Sequence, residues 1–436
     1  MEQQFEECVR LWNEYNGMLV HYNEPNDLLS QGLQRVYDNS APLNPSMEMD
    51  HSMICDNWLA KETILVQNVI ECTNLLLQRG DDVRSRLQTW KEKQMRAQIG
   101  YPFPEKDTEL AIIDSEFGTL FDYIPKLQEL TNVLLKMLKQ PMGMPENAQS
   151  SSIAQLNEAN SQLNRLSREL LHQVLVVSEQ PKTVLKTETN IRKMEIHFLA
   201  AEKLGMKHES NMPNVHFKII TEELAKQLTD SSTIKEVGEI ENAEGKFAVN
   251  ANRHMTVKFS KNKLISVEHR TNVNSKKEQK YVLFFYTDPL NLKIFGKVNL
   301  RTLSLPVMVA TSGSQDCDLY AAVFWQRAFG SVDYHGNIAD EAQSVTWPRL
   351  AEAIKYQFQS FTGATRCLTQ LDTDYIAEKM FGPAPTNDPM RQGMFIDHPT
   401  FVKEYMNSRV EFSYWDWFYS IMRLIKEKEI LQFWNR

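Results

Sequence analysis

Residues 301–325 read RTLSLPVMVATSGSQDCDLYAAVFW. Two apolar runs stand on either side of a turn of small polar residues that begins at Thr311 and ends at Asp316. Small side chains there permit a tight turn, or a close approach of the backbone to something else. The turn is open to three readings: a hairpin, a loop carrying a serine nucleophile, or a fingertip that meets a partner outside the chain. The sequence on either side decides among them.

From about Gln180-Pro181 up to this stretch the chain is built of short alternating segments: VLKTET, MEIHFLA, VHFKII, MTVKFS, LISVEH, YVLFFYT, LKIFGK and SLPVMVA. LYAAVFW is read as the last of them. They are rich in Val, Ile, Phe and Thr and are punctuated by Asn, Gly, Pro and Lys, the pattern of an immunoglobulin-like β-sandwich or barrel. After about Gly336 the pattern turns helical, with WPRLAEAIKYQF, DTDYIAEKMF and YWDWFYSIMRLIKEK. The aromatic residues Tyr414, Trp415, Trp417, Phe418 and Tyr419 read as the core of a small helical domain.

The first 180 residues are helical in pattern. Leu110, Ile113, Phe117, Leu120, Ile124, Leu127, Leu130, Leu134 and Met137 form one stripe, and Ile153, Leu156, Ala159, Leu163, Leu166, Leu170 and Val174 form another. Steps of three and four residues put each set on one helix face. With the stretch Asn57–Gln98 and a shorter helix ahead of it, this predicts an antiparallel four-helix coiled-coil bundle. The fold expected is thus α+β and multidomain: a bundle over 1–178, the β-domain over 179–339 and an all-helical domain over 340–436. A length of 436 residues agrees, being too long for one core.

Charge is uneven. The chain carries a net −8, yet residues 245–280 hold nine basic side chains (Lys246, Arg253, Lys258, Lys261, Lys263, Arg270, Lys276, Lys277 and Lys280) against Glu268 and Glu278. A segment at +7 inside an acidic protein suits contact with phosphates. The N-terminus has no basic region followed by an apolar one, and no run is long enough for a membrane span, so neither a secretory signal nor a membrane partner is expected. Five scattered cysteines without a CxxC pair point to a reducing compartment, and no histidine stands at metal-ligand spacing. No metal or cofactor is expected.

Catalytic signatures are missing. Ser312-Gly313-Ser314 invites a nucleophile reading, but there is no GxSxG elbow, phosphate loop, HExxH or GxGxxG. The chain therefore reads as a binding protein and not an enzyme.

At this point the residues resemble a known family. TLSLPVMVATSGSQ followed by AAVFWQRAF is similar to the "SLPVVV" strand, DNA-contacting loop and "ILW" strand of the STAT transcription factors (signal transducers and activators of transcription). QPKTVLKTETNI resembles that family's entry to the β-domain, LQTWKEKQ the end of its second coiled-coil helix, AEKMFGP its "EKLLGP", and residues 401–435 the last helices before "LWN". The resemblance implies a coiled-coil domain, a DNA-binding domain and a linker domain, acting in signal-dependent transcription and moving between cytoplasm and nucleus. Its implied target is a palindromic TTC/GAA site on double-stranded DNA, with protein partners on the coiled coil. The family's SH2 domain and N-terminal domain are not in this sequence, so a homodimer is expected only with an SH2–phosphotyrosine region.

Residue by residue, GKFAVN matches "T-K-V-M-N" and makes Lys246 a DNA contact. Thr311, Ser312, Gly313 and Gln315 occupy the groove loop, where the family usually has Ser-Asn, or Val-His in a branch that shares the following Gly-Ser-Gln; serine cannot pair bidentately with adenine, which implies a relaxed or altered half-site preference. Arg270, Lys276 and Lys277 fall on a connection that runs past the DNA backbone in the family. Lys403-Glu404 match a linker pair with a modulatory role. The reading that competes with all of this is a helical-bundle signalling adaptor or interaction scaffold that does not touch DNA.

Overall fold

The computed structural model describes residues 2–22, 45–138, 146–191, 193–206, 212–228, 234–268, 279–310, 316–333, 338–339, 342–383, 393–407 and 409–435. The chain forms two compact units, one of residues 1–84 and 115–171, the other of 85–114 and 172–436.

The first unit is a helical bundle of α1 (Glu2–Tyr22), α2 (Pro45–Ala97, to Arg84), α3 (Lys106–Leu138, from Ser115) and α4 (Glu146–Leu171). Cross-contacts give the directions. Gln4 reaches Glu71 while Lys61 reaches Glu14, so α1 and α2 are antiparallel. Gln128 meets Asn164 and Asn132 meets Asn160, so α3 and α4 are antiparallel as well. The expected stripes are the buried ones: Phe117, Leu120, Ile124, Leu127, Leu130 and Leu134 on α3, and Leu156, Ala159, Leu163, Leu166 and Leu170 on α4. Gly80 lets α2 approach α4, since a Cβ there would lie 2.5 Å from Leu166 Cδ1. Burial without a strong partner pushes the Glu62 carboxyl above the ordinary range, and Ser152 beside it only partly opposes this.

The second unit opens with the strands β1 (Leu175–Glu179), β2 (Val184–Lys186), β3 (Thr189–Asn190), β4 (Met194–Phe198) and β5 (Asn214–Thr221). A one-turn helix α5 (Glu222–Lys226) leads to β6 (Gly238–Glu241), β7 (Glu244–Val249), β8 (Met255–Phe259) and β9 (Lys263–Val267). Then come β10 (Tyr281–Thr287), β11 (Leu290–Leu292), β12 (Gly296–Val298), β13 (Arg301–Leu303) and β14 (Met308–Ala310). Seven strands make one sheet in the order β1-β4-β8-β7-β5-β10-β13, every neighbouring pair antiparallel, while β3-β9-β6 form a smaller sheet and β2-β14 a parallel pair. Alternation along the strands turns Phe217, Phe259 and Phe285 into one buried aromatic cluster, with ring centroids 5.2–5.4 Å apart. This is the immunoglobulin-like β-domain.

The segment read as its last strand, LYAAVFW, is instead part of a helix, α6 (Asp316–Phe329). Asp316 and Asp318 favour its N-terminus and Arg327 its last turn. A continuous apolar run has no period with which to tell a buried strand from a buried helix. Here Leu319, Ala321, Val323, Phe324 and Trp325 are all buried, because different faces of α6 pack on the β-domain and on the helices that follow.

Those helices are α7 (Trp347–Thr362), α8 (Gln370–Phe381), α9 (His398–Val402), α10 (Tyr414–Ile425) and α11 (Lys428–Trp434). Capping boxes start α8 (Thr369 with Asp372) and α10 (Ser413 with Asp416). Trp325, Phe324, Phe401 and Trp415 pack together at the centre, Phe324 stacked on Trp415 and Phe401 edge-on to it, and the indole N–H of Trp415 donates to the Cys317 carbonyl at 3.0 Å. Tyr414, Phe418 and Tyr419 are buried with them, as the aromatic pattern predicted, and Trp417 is half-buried. Arg327 is fully buried and donates to Gln98 Oε1, Gln326 Oε1 and the Pro306 carbonyl.

Candidate nucleic-acid interface

Of the residues singled out from the sequence, Lys246, Lys403 and Glu404 are described; Arg270, Lys276, Lys277, Thr311, Ser312, Gly313 and Gln315 lie outside the described residues. What can be read is the frame that holds those two loops, and the basic strands beside them.

Residues 311–315 leave β14 at Ala310 and return at Asp316, the first residue of α6. Ala310 is the register partner of Lys186 on β2, and the Lys186 ammonium pairs with Asp316 Oδ2 at 2.9 Å. One lysine therefore fastens both ends of the loop. Lys186 was not among the residues expected to matter; it stands 130 residues from Asp316, and nothing in local spacing reveals the pair. The 269–278 loop leaves β9 just after Glu268, whose backbone N–H donates to Val237 and whose carboxylate meets Lys235, and it returns to β10 near Lys280.

Lys246 is exposed on β7. The register pairing Phe247 with Val257 sets Lys246 beside Lys258 on β8, also exposed, and pairs Lys246 with Asn214 on the other side. Two ammonium groups are thus presented on one face, and neither forms an ion pair among the described residues. Lys258 is a second candidate contact that the sequence motif did not single out, although it belongs to the basic run.

The described part of that run is not one patch. Lys263 is taken up by Glu188 at 2.6 Å, which raises its pKa. Arg253 lies in the turn before β8 and Lys261 in the turn after it, both with φ of 63°, so a strand of roughly 15 Å separates them. Among the described residues of the run, Lys246 and Lys258 are the exposed lysines that strand pairing sets side by side, with Glu195 on β4 the register partner of Lys258 on its other side.

Lys403 and Glu404 follow α9, with both backbone N–H groups donating to the Pro399 carbonyl at 2.8 and 3.0 Å. The Glu404 carboxylate accepts from Thr400 Oγ1 at 3.2 Å. The pair is thus part of a helix end, held by its own segment.

The family defined as "STAT protein, DNA binding domain" matches residues 179–310, the β-domain up to the end of β14, and "Signal transducer and activator of transcription, linker domain" matches residues 336–418. The chain belongs to the STAT family. It is 34% identical over 383 residues to "Signal transducer and activator of transcription 1" of Caenorhabditis briggsae, covering 82% of this chain and 52% of that protein. The Caenorhabditis elegans protein of the same name is 35% identical over 376 residues, covering 81% and 52%. "Signal transducer and transcription activator" of Drosophila melanogaster is 27% identical over 360 residues, covering 80% and 43%. This STAT chain spans about half the length of the curated relatives it matches.

Proposed function

We propose that this STAT chain is the DNA-binding core of a transcription factor that recognises palindromic TTC/GAA-like sites in duplex DNA. The observation that carries the reading is that the segment matching the STAT DNA-binding domain is the barrel that exposes Lys246 and Lys258 side by side. In this reading Lys246 and Lys258 take phosphates, Arg270, Lys276 and Lys277 take further phosphates, and Thr311, Ser312, Gly313 and Gln315 meet the groove. Lys403 and Glu404 act indirectly, by setting how the linker end is presented. The three functional segments are 1–178, 179–339 and 340–436, the protein works in cytoplasm and nucleus, and dimerisation needs an SH2–phosphotyrosine region. No cofactor or catalytic residue is required.

Partners of the coiled coil fit the same scheme. Ile64 and Leu75 are exposed on α2, eleven residues and therefore about three turns apart on one face. The adaptor reading rests on that face alone.

Fluorescence anisotropy with a TTC/GAA duplex across a salt series tests the proposal. Each phosphate contact contributes about −0.9 to the slope of log K against log salt. Affinity for the duplex no better than for an unstructured polyanion at the same charge would refute DNA recognition and leave the adaptor reading.

A further inference from the structure

Asp114, His197 and His254 come from α3, β4 and the residue just ahead of β8, and the second unit brings them together. One carboxylate oxygen, Asp114 Oδ2, lies 3.0 Å from His197 Nε2 and 2.8 Å from His254 Nδ1. The imidazole centroids are 4.9 Å apart, and the three donor atoms all lie within 4.8 Å of one another. His197 is buried and Asp114 nearly so, while the His254 side chain keeps 25% of its exposure.

Each group is positioned by something other than the cluster itself. The second oxygen of Asp114 accepts the Ala200 N–H at 2.6 Å, which leaves Oδ2 alone turned toward the histidines. The His254 N–H donates to Asn250 Oδ1 at 3.0 Å, and the Asn250 N–H donates to the His254 carbonyl at 2.9 Å, closing the β7–β8 turn.

We propose that Asp114, His197 and His254 form a zinc site, with water as the fourth ligand. Two imidazole nitrogens and one carboxylate oxygen are a donor set that suits zinc. Bonds of about 2.0–2.1 Å in a tetrahedron place ligand atoms roughly 3.3 Å apart. The two oxygen-to-nitrogen separations of 3.0 and 2.8 Å need to open by only a few tenths of an ångström, while the two facing nitrogens, within 4.8 Å of each other, settle to the same spacing. Binding uses the lone pairs of the two facing nitrogens, so each neutral imidazole takes the tautomer whose proton sits on its far nitrogen. The Ala200 N–H then supplies the outer-shell bond that orients the carboxylate. Partial exposure of His254 leaves a way in for the ion and its water. The ion would tie the first turns of α3, which belong to this unit, to β4 and the β7–β8 turn, adding its binding energy to the unit's stability.

The whole chain, stripped with a chelator, is titrated with cobalt(II) as a spectroscopic stand-in for zinc. Expected is one equivalent bound with tetrahedral d–d absorption, no thiolate charge-transfer band, and displacement by zinc(II). His254→Gln, the substitution that least endangers the core, lowers affinity about 100-fold or more, as does Asp114→Asn, whereas Cys8→Ser leaves it unchanged. Circular dichroism and melting of the metal-free His254→Gln protein show that it stays folded. No tetrahedral spectrum at saturating cobalt means a hydrogen-bonded cluster only, and overturns the site. So does a spectrum that survives in His254→Gln, or a thiolate band that disappears in Cys8→Ser.

Discussion

Arg327→Met removes a fully buried guanidinium whose acceptors include Gln98 Oε1 at 2.6 Å, Gln326 Oε1 at 3.0 Å and the Pro306 carbonyl. Methionine fills a similar volume, so the cost lies in polar groups and not in a cavity. Gln98 is half-buried and recovers water, but Gln326 and the Pro306 carbonyl are buried and stay unpaired. Each orphaned acceptor costs about 1–3 kcal/mol. Relief of the guanidinium's own desolvation returns part of that, leaving a net loss of about 3 kcal/mol. For a unit of this size that is roughly 6 °C in Tm, at about 2 °C per kcal/mol. Urea and thermal unfolding followed by tryptophan fluorescence read it directly, since Trp325 is two residues away in the same core. A loss below about 1 kcal/mol, or a gain, would show that desolvation cancels or outweighs these hydrogen bonds and would refute Arg327 as a stabilising tie.

Four other outcomes are expected. Lys246→Ala and Lys258→Ala should each weaken binding of all duplexes and make the salt slope less steep by about 0.9, while Ser312→Ala should reorder the ranking among duplexes; equal effects on every sequence would remove the claim that the loop reads bases. Glu62→Gln should stabilise the bundle at neutral pH. Because burial raises the Glu62 pKa in the folded state, ionisation costs stability as pH rises above the ordinary glutamate range, so the variant's advantage should vanish when urea melts are repeated in acid. Gly238→Ala should destabilise the β-domain by about 1–3 kcal/mol, since a Cβ there meets the Ser266 carbonyl at 2.5 Å and Ile219 at 2.8 Å; an unchanged urea midpoint would contradict this. Ser413→Ala should cost about 1 kcal/mol through loss of the α10 cap, and Ser413→Thr should recover most of it in the same melt.

What the sequence made legible was local in origin. The stripes on α3 and α4 were readable because steps of three and four residues report a helix face directly, and Phe117 through Leu134 are buried as that spacing requires. VHFKII alternates in burial along β5 as period two requires, whereas YVLFFYT on β10 is buried almost throughout and was legible from its β-branched and aromatic residues. LYAAVFW was not, since an element buried on several sides has no polar face to reveal its period. The basic run was visible as charge, but not its distribution: strand pairing joins Lys246 to Lys258 and sends Arg253 and Lys261 to opposite ends of β8. Lys186 with Asp316, and Asp114 with the two histidines, join residues 130, 83 and 140 positions apart, and only the fold brings them together.

The fastening of residues 311–315 at both ends by Lys186 has an evolutionary consequence. A loop whose exit and return are fixed by a neighbouring strand owes little of its placement to its own side chains. An insertion between Ala310 and Asp316 would have to be absorbed between two points that Lys186 holds. Change between these two points should therefore accumulate as substitutions at constant length.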